Sequence, residues 1–483
     1  MDLIAYSQQA ETFLAELIRE YYQHEAGLKA QLEISPIYQR HGALFSRQAV
    51  QELLGGRHSR ECRYLAEFAA SGLIENSLRE LTEEIMNAEA GAVVEWEGSQ
   101  VPYRQASILI SNESDLARRH ELERRTVAQT VELNPQRLRR LQRAHDLARD
   151  LGFADYVVMC EELSELHLGQ LSPAMGELLA RTRELHLEAT GARLRAAGIA
   201  VPEATTADWT FLRRAHQFDH LFPKDELIPA LTSTLAGLGL DLDSQENLHV
   251  DVAERPLKSP RAFCAPIRVP QEVWLVTRPH GGHDDYDAAL HEAGHAVHYT
   301  HVSPQLPVAY RHLGDNTVTE AYAFLFGNLA KSPVWLREVM GATEVEAYLS
   351  LLRFTAGYLV RRYAAKLGFE LELHRAPDPG AMGERYSRVL GDAVQVRVWP
   401  ENYLFDLDDA FYCACYLRAW ILEVQLRRAL VQQFGERWFA SGEAGAFLRD
   451  LWSLGQQLPG HELAQRLGYR GLEVEWLIAD LTG

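Results

Sequence analysis

The segment from Tyr286 to His298 constrains this chain more than any other. It reads Tyr-Asp-Ala-Ala-Leu-His-Glu-Ala-Gly-His-Ala-Val-His, and its core, His291-Glu292-Ala293-Gly294-His295, is an HExxH pattern. The small and apolar residues around it (Ala288, Ala289, Leu290, Ala293, Ala296, Val297) predict a helix. On a helix, side chains four apart project from one face about a turn apart. That is the geometry two imidazoles need to grip one metal ion. Glu292, directly after the first histidine, is placed to reach a water on the metal instead of the metal itself. Gly294 opposes the helix by about 1 kcal/mol. A match this short also arises by chance on core helices. Two histidines and a carboxylate with few other charges nearby are nevertheless costly to bury unless something binds them.

Downstream, Val318 to Gly327 is an apolar helical run with one carboxylate, Glu320, near its start. Alone, Glu320 reads equally well as an acid favoured at a helix N-terminus by the macrodipole. With His291 and His295 it completes a His2Glu set, which leaves the fourth position of a tetrahedral Zn2+ open for water, the catalytic arrangement. Zinc is inferred from the donor set, which also accepts cobalt or manganese. His298, seven residues after His291, reads as a packed or hydrogen-bonded neighbour, and His301 as a surface residue. Asp284, Asp285, Asp287, Asp315 and Asn316 could each orient a ligand imidazole; the sequence does not choose among them.

HEAGHAVH, followed by Glu320 twenty-five residues after His295, resembles the thimet oligopeptidase and oligoendopeptidase F family of zinc metallopeptidases. More distantly it is similar to the angiotensin-converting-enzyme group. The resemblance also covers Leu151-Gly-Phe-Ala-Asp-Tyr156, Phe411-Tyr412-Cys-Ala-Cys-Tyr416 and the region from Gly442 to Gly468. Residues 1–130 match only in helical character. The resemblance implies a mainly α, two-lobed helical metallopeptidase with a deep central cleft and a small β-sheet beside the HExxH helix. It implies zinc on His291, His295 and Glu320, Glu292 as general base, and short flexible peptides as substrates, folded proteins being excluded by the cleft. It further points to tyrosines, here Tyr412 and Tyr416 with Tyr403 just before, as donors to the oxyanion. The match has departures. Family tyrosines are often three apart and accompanied by a histidine, whereas here they are four apart and Asn402 takes the histidine-like place. Core packing with a satisfied hydroxyl therefore stays open for each. Phe324 stands where angiotensin-converting-enzyme relatives carry a carboxylate. A carboxypeptidase or dipeptidyl carboxypeptidase on the same scaffold is the alternative activity, and would need a cation such as Arg397 or Arg418 for the substrate's terminal carboxylate. The alternative outside catalysis is a metal-binding interaction protein, against which the intact Glu292 counts.

At 483 residues the chain is expected to form two to four units. We expect a helical lobe over 1–245 and a zinc-binding lobe over 246–483. A net charge of −19 argues against a nucleic-acid or anionic-membrane partner. No apolar run approaches the ~18 residues of a membrane span, and the N-terminus lacks the basic start and apolar core of a signal peptide. Five cysteines without framework spacing suit a reducing cytoplasm. Cys413 and Cys415, at i and i+2 on a helix, point apart and read as buried small residues. Oligomeric state leaves no mark on the sequence.

Along the chain, residues 11–150 read as amphipathic helices. Arg118 to Asp150 is so rich in interleaved Arg and Glu that it reads as a solvated face laced with i,i+4 pairs. Helix continues from Leu163 to Ala197 with a break at Ser172-Pro173. Residues 198–210 read as an exposed connector, followed by a helix from Asp208 on which His216 and His220 are packed structural residues. The texture turns to strands at Leu248–Val252, Ala262–Val269 and Glu272–Arg278, the last two joined by a turn at Val269-Pro270-Gln271. An edge of that sheet would let a peptide add itself as a strand. From Ser332 onward the chain is helical again.

Overall fold

The computed structural model describes residues 1–57 and 59–483, apart from the side chain of Asp243. The chain is mainly helical, as expected, with a two-stranded and a three-stranded sheet among the described residues. No described helix is long and apolar enough to cross a membrane. The chain forms two compact units. Residues 1–73, 216–349 and 418–477 make the first; residues 74–215, 350–417 and 478–483 make the second.

Helix α1 (Leu3–Glu25) begins at Asp2, whose carboxylate accepts from the Ile4 and Ala5 amides, the usual role of an N-cap aspartate. Strands β1 (Val93–Trp96) and β2 (Ser99–Pro102) form a hairpin that the sequence did not announce. Its turn residues Glu97 and Gly98 take φ of 52° and 78°, as a two-residue hairpin loop requires, but Glu is not among the residues that mark such turns.

Helix α2 (Leu116–Asp150) runs through Pro135 without interruption. Part of its charge is the expected surface lacing, with Glu121 pairing Arg124 and Arg125. Arg119, however, is 1% exposed. Its Nε and Nη2 donate to Asp208 Oδ1 at 2.9 and 2.6 Å, and His120 Nε2 lies 2.7 Å from Oδ2. Asp208 also accepts the Thr205 amide at the start of α3 (Thr206–Arg213). The stretch expected to be an exposed connector is therefore half helix, with Asp208 fully buried. Removing one partner of a buried ion pair strands the other charge, which costs about 3–5 kcal/mol. We expect Asp208→Ala to lower the unfolding free energy by about that amount in chemical denaturation; a loss below about 1 kcal/mol, the median of surface pairs, would show the pair to be solvated.

Two further expectations shift. Pro173 lies inside a helix from Leu168 to Arg181, and the chain breaks at Glu165 and His167, both with positive φ. Helix α3 ends ahead of Ala215, whose φ is 55°, so His216 and His220 fall on a 3-10 turn and are exposed, not packed.

The strands expected ahead of the histidine motif all form. β3 (Leu248–Asp251), β4 (Phe263–Arg268) and β5 (Glu272–Val276) lie in the order β3-β5-β4, β3 parallel and β4 antiparallel to β5. β4 is thus an edge strand. Ala265 and Ile267, two apart and so on one face, pack with Ala15 and Tyr22 of α1. β4 also packs against α4 (His283–His301), which carries the motif. Helix α5 (Asn316–Gly327) is buried continuously from Thr317 to Ala323, the situation of a helix apolar on all sides. Helix α6 (Tyr412–Phe434) follows in the C-terminal part of the chain.

Candidate metal centre

Helix α4 carries Asp284 and Asp285 in its first turn and His298 and His301 in its last, the charge order its macrodipole favours. Asp285 Oδ2 accepts the His280 and Gly281 amides at 2.7 and 2.8 Å, and Tyr286 donates to the Pro223 carbonyl at 2.7 Å. The helix entry is thereby pinned. At Gly294, α4 touches α5 backbone to backbone. A Cβ there would lie 2.6 Å from the Tyr322 carbonyl oxygen and 2.7 Å from Ala323 Cα. The residue that weakens the helix locally is the one that lets two helices meet.

This approach brings Glu320 of α5 under the two histidines of α4. Its Oε2 lies 3.5 Å from His291 Nε2 and 3.8 Å from His295 Nε2. The three ligand atoms lie within 4.8 Å of one another. Zinc bonds near 2.0–2.1 Å in a tetrahedron set neighbouring donors about 3.3–3.4 Å apart. Two imidazole nitrogens and one carboxylate oxygen fit zinc in donor chemistry, and the two nitrogen–oxygen separations are a few tenths of an ångström wider than that spacing, room enough for the ion.

Burial pushes His295 down to about 4, leaving it neutral with a lone pair to donate. Burial acts the same way on His291, but the bond to Glu320 and the charges of Glu292, Glu320 and Asp287 outweigh it and hold that imidazole above its ordinary value. Glu292 is pushed up to about 7, mainly by burial. Its Oε2 accepts the Cys264 amide of edge strand β4 at 2.9 Å. The carboxylate next to the first histidine is therefore tied to the sheet.

None of the five residues considered as imidazole partners bonds His295. Its Nδ1 lies 2.8 Å from Thr319 Oγ1, a contact that a threonine ahead of a glutamate gives no reason to expect. Asp315 instead caps α5 through the Thr317 amide at 3.1 Å, takes Arg418 in a two-pronged pair at 3.0 and 2.7 Å, and accepts the Gly460 amide at 2.9 Å. Asp285 holds the entry loop, Asp287 lies 3.1 Å from Lys331, and Asp284 and Asn316 are exposed. His298 is fully buried between the rings of Tyr299 and Tyr322. His301 is half-buried, with Nδ1 2.8 Å from the Val297 carbonyl, not on the surface.

Tyr412 and Tyr416 belong to the second unit, and the histidine–glutamate trio to the first. Their rings meet edge to face at 5.1 Å, and Tyr416 meets Tyr363 likewise at 5.7 Å. Tyr403 is buried and donates to the Gly380 carbonyl. Of the two arginines considered for a substrate carboxylate, Arg418 is engaged by Asp315, and Arg397 lies over the Trp399 ring at 4.1 Å. A second group of possible donors, Glu370, Asp408 and Cys413, already holds a cation. Lys366 Nζ sits 2.9 Å from Asp408 and 3.7 Å from Glu370, and the Cys413 thiol donates to Glu370. It is a buried ion cluster.

No family model matches the chain, and no curated protein matches it as a relative. Among solved structures the chain is similar to the crystal structure of a "putative oligoendopeptidase F" from Bacillus anthracis str. Ames, with a TM-score of 0.65 and 14% sequence identity. The match covers 96% of this chain and 87% of that one. The chain therefore shares the fold of that protein over nearly its whole length.

Proposed function

We propose that this chain is a zinc-dependent peptidase of the thimet oligopeptidase and oligoendopeptidase F family that hydrolyses short oligopeptides. The observation that carries the reading is the convergence of His291, His295 and Glu320 within 4.8 Å while Glu292, on the same helix, is tied to β4. The fold shared with the Bacillus protein supports the peptidase class, and the HEAGHAVH segment supports the family.

Bound there, zinc supplies a Lewis acid for the peptide carbonyl and lowers the pKa of water towards 7. His291 and His295 would hold it through Nε2, and Glu320 through Oε2. Glu292 keeps Oε2 on the Cys264 amide, so Oε1 takes the proton of the attacking water and returns it to the leaving amine. The β4 edge beside Glu292 offers its backbone to an extended peptide. Tyr412 and Tyr416 are the proposed donors to the developing oxyanion. The exopeptidase alternative loses Arg418, whose guanidinium is engaged by Asp315.

The test is metal analysis of wild type and Glu320→Ala beside cleavage of a short quenched peptide. We expect about one zinc per chain, with zinc and turnover both lost in the variant. The same assay on Tyr412→Phe and Tyr416→Phe reads the phenols: turnover falls while zinc stays. Metal-free wild type that remains inert after zinc is restored would end the peptidase reading. Zinc held firmly with no cleavage would favour a non-catalytic metal protein, and equal cleavage of free and amidated C-termini an endopeptidase.

A further inference from the structure

An imidazole binds metal through Nε2 only when that nitrogen carries no proton, so the neutral ring must keep its hydrogen on Nδ1. What Nδ1 touches decides this. His295 Nδ1 lies 2.8 Å from Thr319 Oγ1. Thr319 is 3% exposed, so bulk water does not replace it. Tyr299 stands one turn beyond His295 on α4, its phenol on the side of the Thr319 hydroxyl, which favours the ionised phenol while burial opposes it more strongly. The Tyr299 ring lies nearly parallel to that of His295, 20° apart in plane with centroids at 6.3 Å. The contacts close a loop from α4 to α5 and back, through the residue adjacent to Glu320.

The two possible proton orders are not equivalent. Were Thr319 to donate to Nδ1, the proton on Nε2 would face Glu320 Oε2 at 3.8 Å, too far for a hydrogen bond. In the opposite order, Nδ1–H donates to Thr319 Oγ1 across 2.8 Å and Nε2 is left without a proton. We propose that Thr319 and Tyr299 are positioning residues that fix His295 in its Nδ1–H tautomer and aim Nε2 at the metal, an inference that rests on the zinc reading above. A neutral hydroxyl in this place leaves the imidazole less basic than a carboxylate partner would, so more of the metal's charge remains for the substrate carbonyl.

The variants are Thr319→Val, which keeps the shape and removes the hydroxyl, Thr319→Ser, which restores it, and Tyr299→Phe. Zinc affinity is read by competition with a chelator. Independently, the imidazole nitrogen shifts of metal-free, histidine-labelled protein report the tautomer, with His295 assigned from the spectrum of His295→Gln. We expect Thr319→Val to bind zinc about 10–100-fold more weakly, Thr319→Ser to return close to wild type, and Tyr299→Phe to shift in the same direction by less. Metal-free wild type should show His295 as Nδ1–H, and Thr319→Val a mixture. Should the valine variant fail to fold, Tyr299→Phe carries the tautomer test. His295 protonated on Nε2 in metal-free wild type, or unchanged zinc affinity in Thr319→Val, would overturn the proposal. Wild type that binds no zinc yet keeps His295 as Nδ1–H would end the zinc reading and leave the relay standing.

Discussion

On the zinc-peptidase reading, Glu292→Gln is expected to keep zinc while peptide turnover falls by about 10²–10⁴. The substitution preserves volume and leaves an oxygen to accept the Cys264 amide, so the carboxylate's tie to β4 at 2.9 Å has a direct substitute. What disappears is the ability to take a proton from water and pass it on. Neither His291, His295 nor Glu320 loses an atom, so metal content should equal that of wild type by elemental analysis. KM for the quenched peptide should change little, because the lost interaction belongs to the chemical step. Turnover near the wild-type rate in the zinc-loaded variant would remove Glu292 from the role of base.

Gly294→Ala is the second large effect, and its sign is informative. In an ordinary helix interior, glycine to alanine stabilises by about 0.8–1.0 kcal/mol. Here the added Cβ would sit 2.6 Å from the Tyr322 carbonyl oxygen, where ordinary contact begins at 3.4 Å, and both facing groups belong to a helix backbone. The helices must part by most of that 0.8 Å shortfall. Overpacking of this kind costs about 1–3 kcal/mol. Zinc bond lengths vary by only about 0.2 Å, so Glu320 on the displaced helix should lose its hold on an ion shared with α4. We expect lower stability of the metal-free protein and loss of zinc. A variant more stable than wild type would show that α4 and α5 do not meet closely at this point.

The histidine pair could be read from the sequence because its geometry is local: four residues on a helix fix two imidazoles whatever the rest of the fold does. Glu320 could be read because it is the single carboxylate in an apolar run. The strands from Leu248 to Val276 were equally visible, through β-branched and aromatic residues between turn signals. Thr319 was not, since nothing in its own identity separates it from helix filler; its contact with His295 exists only because Gly294 brings α5 against α4. Asp208 was misread for a related reason. A charge among Ala and Thr reads as solvated, and its partner Arg119 lies 89 residues earlier on a helix most of whose other arginines are exposed. Ala215, which turns His216 and His220 outward, adopts a positive φ that alanine does not advertise. The interleaving of segments into two units likewise depends on contacts between distant residues, on which periodicity is silent.

Asp315 accepts hydrogen bonds from the Thr317 and Gly460 amides and from both prongs of Arg418, in a site 4% exposed at its side chain. Fraying, the ordinary fate of a helix end, is closed to α5, because its first turn opens only by breaking a buried ion pair as well. Glu320 opens the next turn of the same buried helix, whose backbone is thereby fixed. On the zinc reading, binding would require little ordering of the chain, so most of the intrinsic affinity of the donor atoms would be realised. A chelator that strips the ion would leave behind a folded, vacant socket ready to be refilled, unlike small domains whose metal is also their core.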